Sequence, residues 1–280
     1  MFRLGDKAML AHLHIGKYGG RKEDKEVTKF VEDTFNVVGV GRWNKKLIPA
    51  RLAMINSHEQ KARALHNFYT VPWDLAGVGI LSNELYFEYL EKMQPVKDSF
   101  FMEVQRLVSD YQEVLNSEQI RLGPHFKESD YPPQWKLAER FNFSISFYPI
   151  PEKGDIRVEL VDYELDKLNQ DLEKKVRSLL ADDTKELWGR INEAVGDLVE
   201  RLNAERGMRY DSPVIDNLKK LAKVLPSLNF TQDPDLDQMT KDIEDKLTKF
   251  KPEEIRDDEV IKNQVKDEAD KIAERIRQFI

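Results

Sequence analysis

Two short segments near the N-terminus hold the residues best suited to binding chemistry. The first, GKYGGRK at 16–22, sets Lys17, Arg21 and Lys22 around Gly19 and Gly20. Glycines there let successive backbone N–H groups converge on an anion, which the cationic side chains would clamp. The second, GVGRWNKK at 39–46, places Arg42, Lys45 and Lys46 around Trp43. Cations interleaved with a stacking ring suit contact with a nucleic-acid backbone and its bases. Neither segment is a Walker A loop or a G-x-G-x-x-G fingerprint. Three uses remain open: an anion cradle, a nucleic-acid contact, and a surface of tight turns and solvated cations that meets another protein.

Other chemistry is thinly supplied. His12 and His14 sit two residues apart in a strand-like run, a spacing at which two imidazoles can share a metal. His58 and His66 lie about two turns apart on a later helix. No H-x-x-x-H, H-x-x-E-H or two-His-plus-acid pattern accompanies them, so no metal or other cofactor is expected. The acidic runs Asp182/Asp183, Glu253/Glu254 and Asp257/Asp258/Glu259 fall on helices or their caps, where neighbours diverge by about 100° and do not converge as an acid–base pair. There is no G-x-S-x-G and no cysteine, which excludes thiolate ligands, disulfides and a Cys nucleophile. A non-enzymatic protein is the expectation.

The chain of 280 residues is 40% hydrophobic and 34% charged, with a net charge of −7. That balance suits long solvent-facing helices, and the negative charge weighs against general nucleic-acid binding. Charge is uneven. Through Arg51 there are eleven Lys and Arg against six Asp and Glu, or +5; from Phe230 onward ten against fifteen, or −5. A basic head and an acidic tail could attract each other within or between molecules. No apolar run is long enough to span a bilayer, and Asp6 comes too early for a signal peptide. A soluble protein of the cytoplasm, without membrane contact, is expected.

The elements that must position these residues follow from periodicity. Residues 8–15 read as a strand. Residues 24–34 read as a short helix with Val27, Phe30, Val31 and Phe35 on one face, and 45–69 as a longer one with Pro49 in its first turn. VPWDLAGVGILSN breaks helicity, and Ser82 caps a new helix to about Ser117, kinked near Pro95. FNFSISFYPIP alternates strictly and, with the turn at 149–154 and DIRVELVD, reads as a hairpin that takes the N-terminal strand as its third partner. From Asp162 the chain is helical. A coiled-coil-like stripe runs from Leu165 to Leu202, followed by helices near 212–225, 233–249 and 252–278. The fold class is therefore α+β, mostly α: a small antiparallel sheet on long helices, with a helical C-terminal arm or bundle. The domain expectation is a head over 1–161 and a long helix with a bundle or arm over 162–280.

Several landmarks also occur in a fixed order: G-G-R-K-x-D-K-x-V, G-R-W-N-K-x-L-I-P, T-V-P-W-D at 70–74, L-G-P-H-F with D-Y-P at 130–132, R-F-x-F, and P-I-P-E-K-G-D-I-R-V-E-L. Together they resemble an uncharacterised bacterial and bacteriophage family (domain of unknown function thirty-one-fifty) over roughly residues 8–202. The resemblance implies a phage or prophage protein encoded near an AAA+ ATPase and a von Willebrand A-like partner. An accessory role beside such an ATPase, in assembly, or against host defence would follow. Partner expectations are thus an AAA+ ATPase or a host protein, with self-association through the helical arm open. Lys17, Gly19, Gly20, Arg21, Lys22, Arg42, Trp43, Lys45 and Lys46 are the candidate contact residues.

Overall fold

The computed structural model describes residues 4–152, 155, 162–203 and 213–280. The N-terminal run folds as strand β1 (Ala8–Gly16), with Ala8, Leu10, Ala11, Leu13 and Ile15 buried. The clear alternation after Phe141 becomes another strand, Asn142–Tyr148. Between them in sequence lie short strands β2 (Arg21–Glu23) and β3 (Asn44–Lys46), then β4 (Thr70–Pro72) and β5 (Val78–Ser82), which makes Asn142–Tyr148 strand β6. A four-stranded sheet has the order β4-β5-β1-β6, and β2-β3 form a separate ribbon. β6 thus neighbours β1, as the alternation implies. The return strand of the expected hairpin, residues 156–161, lies outside the described residues.

β4 and β5 replace what reads in the sequence as a mere helix break. They pair antiparallel, Val71 opposite Ile80 and Pro72 opposite Gly79, and β5 continues the register onto β1 with Leu10 opposite Ile80. Gly79 is a close-approach residue. A Cβ there would lie 2.3 Å from the Thr70 hydroxyl oxygen, so the glycine that looks like a breaker is what lets the strands meet.

The helices are α1 (Lys25–Phe35), α2 (Pro49–Tyr69), α3 (Tyr86–Ser109), α4 (Tyr111–Leu122), α5 (Gln134–Leu137), α6 (Asp162–Asn203), α7 (Pro213–Leu228), α8 (Pro234–Lys246), α9 (Pro252–Asp257) and α10 (Glu259–Ile276). Three differ from expectation. α2 begins at Pro49, because Lys45 lies in β3 and Ile48 takes a positive φ of 45°. α3 runs through Pro95 and stops at Ser109, before Asp110 departs from helical geometry. The last helix is split by Asp258, whose carboxylate accepts the N–H groups of Val260 and Ile261 and caps a new helix.

The chain divides into two compact units: Met1–His12 with Asn67–Tyr89 and Phe147–Ile280, and Leu13–His66 with Leu90–Ser146. This differs from a cut at residue 161, because polar contacts tie the C-terminal helices to the 67–89 stretch. Arg190 of α6 donates to the carbonyls of Phe68 and Thr70, and Lys223 of α7 pairs with Glu88 at 2.8 Å. In that unit α6 packs on α10 and α7, and Trp188 stacks on Phe279 with ring centroids 4.2 Å apart. The stripe of α6 is buried only in its C-terminal half, at Leu187, Ile191, Val195, Leu198 and Leu202. In the other unit Phe100 meets Phe141 and Phe143 edge-on, with Leu107 and Ile55 also buried.

One buried carboxyl in α6 makes stability depend on pH. Asp183 is buried, and its Oδ2 has no hydrogen-bond partner. Burial, reinforced by the Glu186 charge and opposed by Arg190, lifts its pKa to about 7. A carboxyl raised from an unfolded value of about 4 keeps its proton longer in the native state, so the native state binds more protons across that window. Stability linked to Asp183 is therefore full below about pH 4 and falls as pH rises to about 7, by roughly 2–4 kcal/mol. Asp183→Asn should match the wild type near pH 4 and melt at a higher temperature near pH 8, read by calorimetry; equal melting temperatures at both would refute the assignment.

Candidate contact surface

The second unit, taken by itself, sorts the candidate residues into two groups. Lys45 faces inward and is only 2% exposed. Its ammonium lies 2.6 Å from Asp130 and 3.8 Å from Asp24, and donates to the His125 carbonyl at 2.7 Å. Asp24 in turn caps α1, its Oδ1 accepting the N–H groups of Glu26 and Val27, while its Oδ2 lies 3.3 Å from Nδ1 of His125. Burial alone would raise the Asp24 pKa. The Val27 N–H and the Lys45 charge outweigh it and hold the carboxyl below its usual value. Lys45 is thus an interior tie between β3, the start of α1 and the 125–130 loop, and is not part of a contact surface.

Lys17 and Gly20 are also committed to the fold. Lys17 pairs with Glu59 of α2 and donates to Asn56 at 2.9 Å. Burial pushes the Glu59 carboxyl up, but Lys17 and Arg63 bring it below its usual range. Gly20 has φ +54°, a Cβ there would sit 2.8 Å from the Leu47 carbonyl oxygen, and the Gly20 carbonyl accepts the Leu47 N–H at 2.8 Å, which closes the β2–β3 ribbon. The glycine serves that close approach. Gly19 has open space beside it.

The remaining candidates are exposed. In the ribbon Arg21 stands directly opposite Lys46 and Lys22 opposite Lys45. Strand alternation sends Lys45 inward and leaves Asn44 and Lys46 outside. Among the described residues Arg21, Lys22, Lys25, Lys29 and Lys46 form no ion pair, and Arg42 reaches Glu23 only at 3.8 Å. Trp43 is 42% exposed, with its ring 6.5 Å from that of His125.

Beside these cations lies the apolar stripe of α1, whose direction the sequence pattern leaves open. The stripe of α1 does not point inward: no residue of this helix is buried. Phe30 is 69% and Phe35 70% exposed, and in the following loop Val38 is 91% and Val40 75% exposed. The helix is held by its polar shoulder instead. The Thr28 hydroxyl accepts the Trp43 N–H at 3.0 Å, Glu32 accepts the Gly39 N–H at 2.8 Å, and Lys127 binds Glu26 at 2.7 Å. The i, i+3, i+4 pattern is visible in the sequence, but the side it faces is set by Thr28, Glu32 and Asp24, which read as ordinary polar positions.

His12 is half-buried and His14 exposed. Among the described residues no three His, Cys, Asp or Glu side chains are grouped as metal ligands, and no helix is long and apolar enough to cross a membrane. Comparison with protein-family models, with curated proteins and with solved structures finds no match to this chain.

The two groups of cations predict opposite outcomes. Lys45→Ala would take the only ammonium from the buried Asp24, leaving its carboxylate its backbone N–H groups and His125, and would remove the ion pair of Asp130, at about 3–5 kcal/mol. Lys46→Ala on the adjacent, exposed position should change stability by less than about 0.5 kcal/mol. Urea denaturation of both variants checks this, and equal effects would show that Lys45 is not an interior tie.

Proposed function

We propose that this is a non-enzymatic, cytoplasmic accessory protein of phage or prophage type that acts by docking to a protein partner. The docking face comprises the outer side of α1, the 36–43 loop and the outer face of the β2–β3 ribbon, with Arg21, Arg42, Trp43 and Lys46 beside Phe30 and Phe35. One observation carries this reading: an amphipathic helix is fixed by hydrogen bonds on its polar shoulder and turns its apolar stripe to solvent. Apolar stripes normally drive helix packing, and a contiguous exposed one marks an interaction surface. An AAA+ ATPase or a host protein is the proposed partner, on the strength of the family resemblance of the sequence landmarks.

A second reading, nucleic-acid binding, is supported by the unpaired Arg21, Lys22 and Lys46 near Trp43. It predicts affinity for DNA or RNA that falls steeply with salt and is lost in Arg42→Glu/Lys46→Glu. It leaves Phe30 and Phe35 without a role.

The test is photo-crosslinking in bacterial cells from a probe placed at Thr34, between the two phenylalanines in sequence. The wild type should give a discrete crosslinked protein, and Phe30→Ser/Phe35→Ser should lose it with an unchanged far-ultraviolet circular dichroism spectrum. A crosslink that survives the double substitution, or none in the wild type, would reject the docking face.

A further inference from the structure

Two features of residues 21–46 are unfavourable as they stand. The stripe of α1 exposes Phe30 and Phe35 to water. In the adjoining ribbon Arg21 faces Lys46 directly across the ladder, an arrangement of like charges that weakens strand pairing. The acidic groups nearby do not pair with these two cations. Glu26 pairs with Lys127, Glu23 lies 3.8 Å from Arg42, and Glu32 accepts the Gly39 N–H. Among the described residues the cations Arg21, Lys22, Lys25, Lys29 and Lys46 have no ionic partner. Among the described residues these five cations thus stand against two carboxylates of α1, Glu32 and Asp33, that have no ionic partner either.

We infer that the element covering this face is an acidic amphipathic helix of another protein; the inference rests on the reading above that the face binds a protein. Shape argues for a helix. Val27, Phe30, Val31 and Phe35 form a ridge one helix wide and about 12 Å long, which a second helix covers by ridge-into-groove packing. Charge argues for acidity, because carboxylates flanking the partner's apolar stripe meet Arg21 and Lys46, which share one face of the ribbon, and remove the repulsion between them. A second copy of this chain fits less well, since it brings the same free cations to the contact. An anionic bilayer also fits less well. Helices that lie in lipid headgroups carry a polar face rich in Lys and Arg, whereas α1 sets Glu26, Glu32 and Asp33 against Lys25 and Lys29.

The probes are two synthetic peptides, each about five turns of helix, with the same Leu stripe and either a Glu-rich or a Lys-rich polar face. Fluorescence anisotropy with the full chain should show binding of the Glu peptide, weaker by about tenfold or more between about 50 mM and 300 mM salt. Arg21→Glu/Lys46→Glu should lose that binding, as should Phe30→Ser/Phe35→Ser, while both variants keep the wild-type melting temperature within a few degrees. Equal binding of the Lys peptide, or no binding of either, overturns the inference. So does a preference for vesicles of mixed phosphatidylglycerol and phosphatidylcholine over the Glu peptide. A wild-type dimer in light scattering that Phe30→Ser/Phe35→Ser disperses also overturns it, because the face is then covered by a second copy. If crosslinking from Thr34 finds a partner and the Glu peptide does not bind, the docking face stands and the acidic helix falls.

Discussion

The ammonium of Lys45, held between Asp130 and Asp24, is the contact on which the candidate surface depends. Removing three charges from water is expensive unless each is compensated. Here compensation is shared: Asp24 takes two backbone N–H groups of α1 as well as the ammonium, and Lys45 also reaches the His125 carbonyl. One buried cation thereby fixes three separate pieces of chain, namely β3, the first turn of α1 and the 125–130 loop. Because side chains alternate along a strand, fixing Lys45 inward fixes Lys46 outward, opposite Arg21. The basic character of the surface follows from what is buried beneath it.

The same tie settles the orientation of α1. Asp24 is both its N-cap and a partner of Lys45, so the helix begins at a set point and in a set rotation. Thr28 and Glu32, one and two turns further on, then bind the N–H groups of Trp43 and Gly39. A helix of 11 residues is marginal by itself. This one is kept by caps and shoulder hydrogen bonds rather than by burial, including Asn36 in the left-handed region at its C-terminus. Burying Phe30 and Phe35 would require rotating the helix and leaving the N–H groups of Trp43 and Gly39 without those acceptors.

Periodicity made much of the fold legible. The strand at 8–15, the alternation from Phe141, the helix near 24–34 and the helix starts at Pro234 and Pro252 all match elements observed. What stayed hidden has physical reasons. The β4–β5 pair is only a few residues long and contains Gly77 and Gly79, and a glycine needed for close strand approach looks the same in sequence as one that breaks a helix. The break at Asp258 depends on its carboxylate turning back to the N–H groups of Val260 and Ile261, which a run of acidic residues does not reveal. At the candidate surface, Lys45 and Lys46 are adjacent and chemically identical. Only the strand geometry of a three-residue segment makes one an interior tie and the other a surface cation.

This construction bears on how the face would bind. A segment that must fold on its partner surrenders part of the interaction free energy to ordering. α1 is already helical, already capped, and already oriented by Asp24, Thr28 and Glu32, so that loss is avoided and more of the apolar burial appears as affinity. The arrangement also separates the two tasks of the surface. In the proposed complex Phe30 and Phe35 would supply non-directional burial, while Arg21 and Lys46 would set the sign of charge a partner must carry. A partner of the wrong sign meets the exposed phenylalanines only by bringing its own cations against the ribbon. On the proposed reading, the repulsion already present between Arg21 and Lys46 would act as a filter on which apolar helices this face accepts.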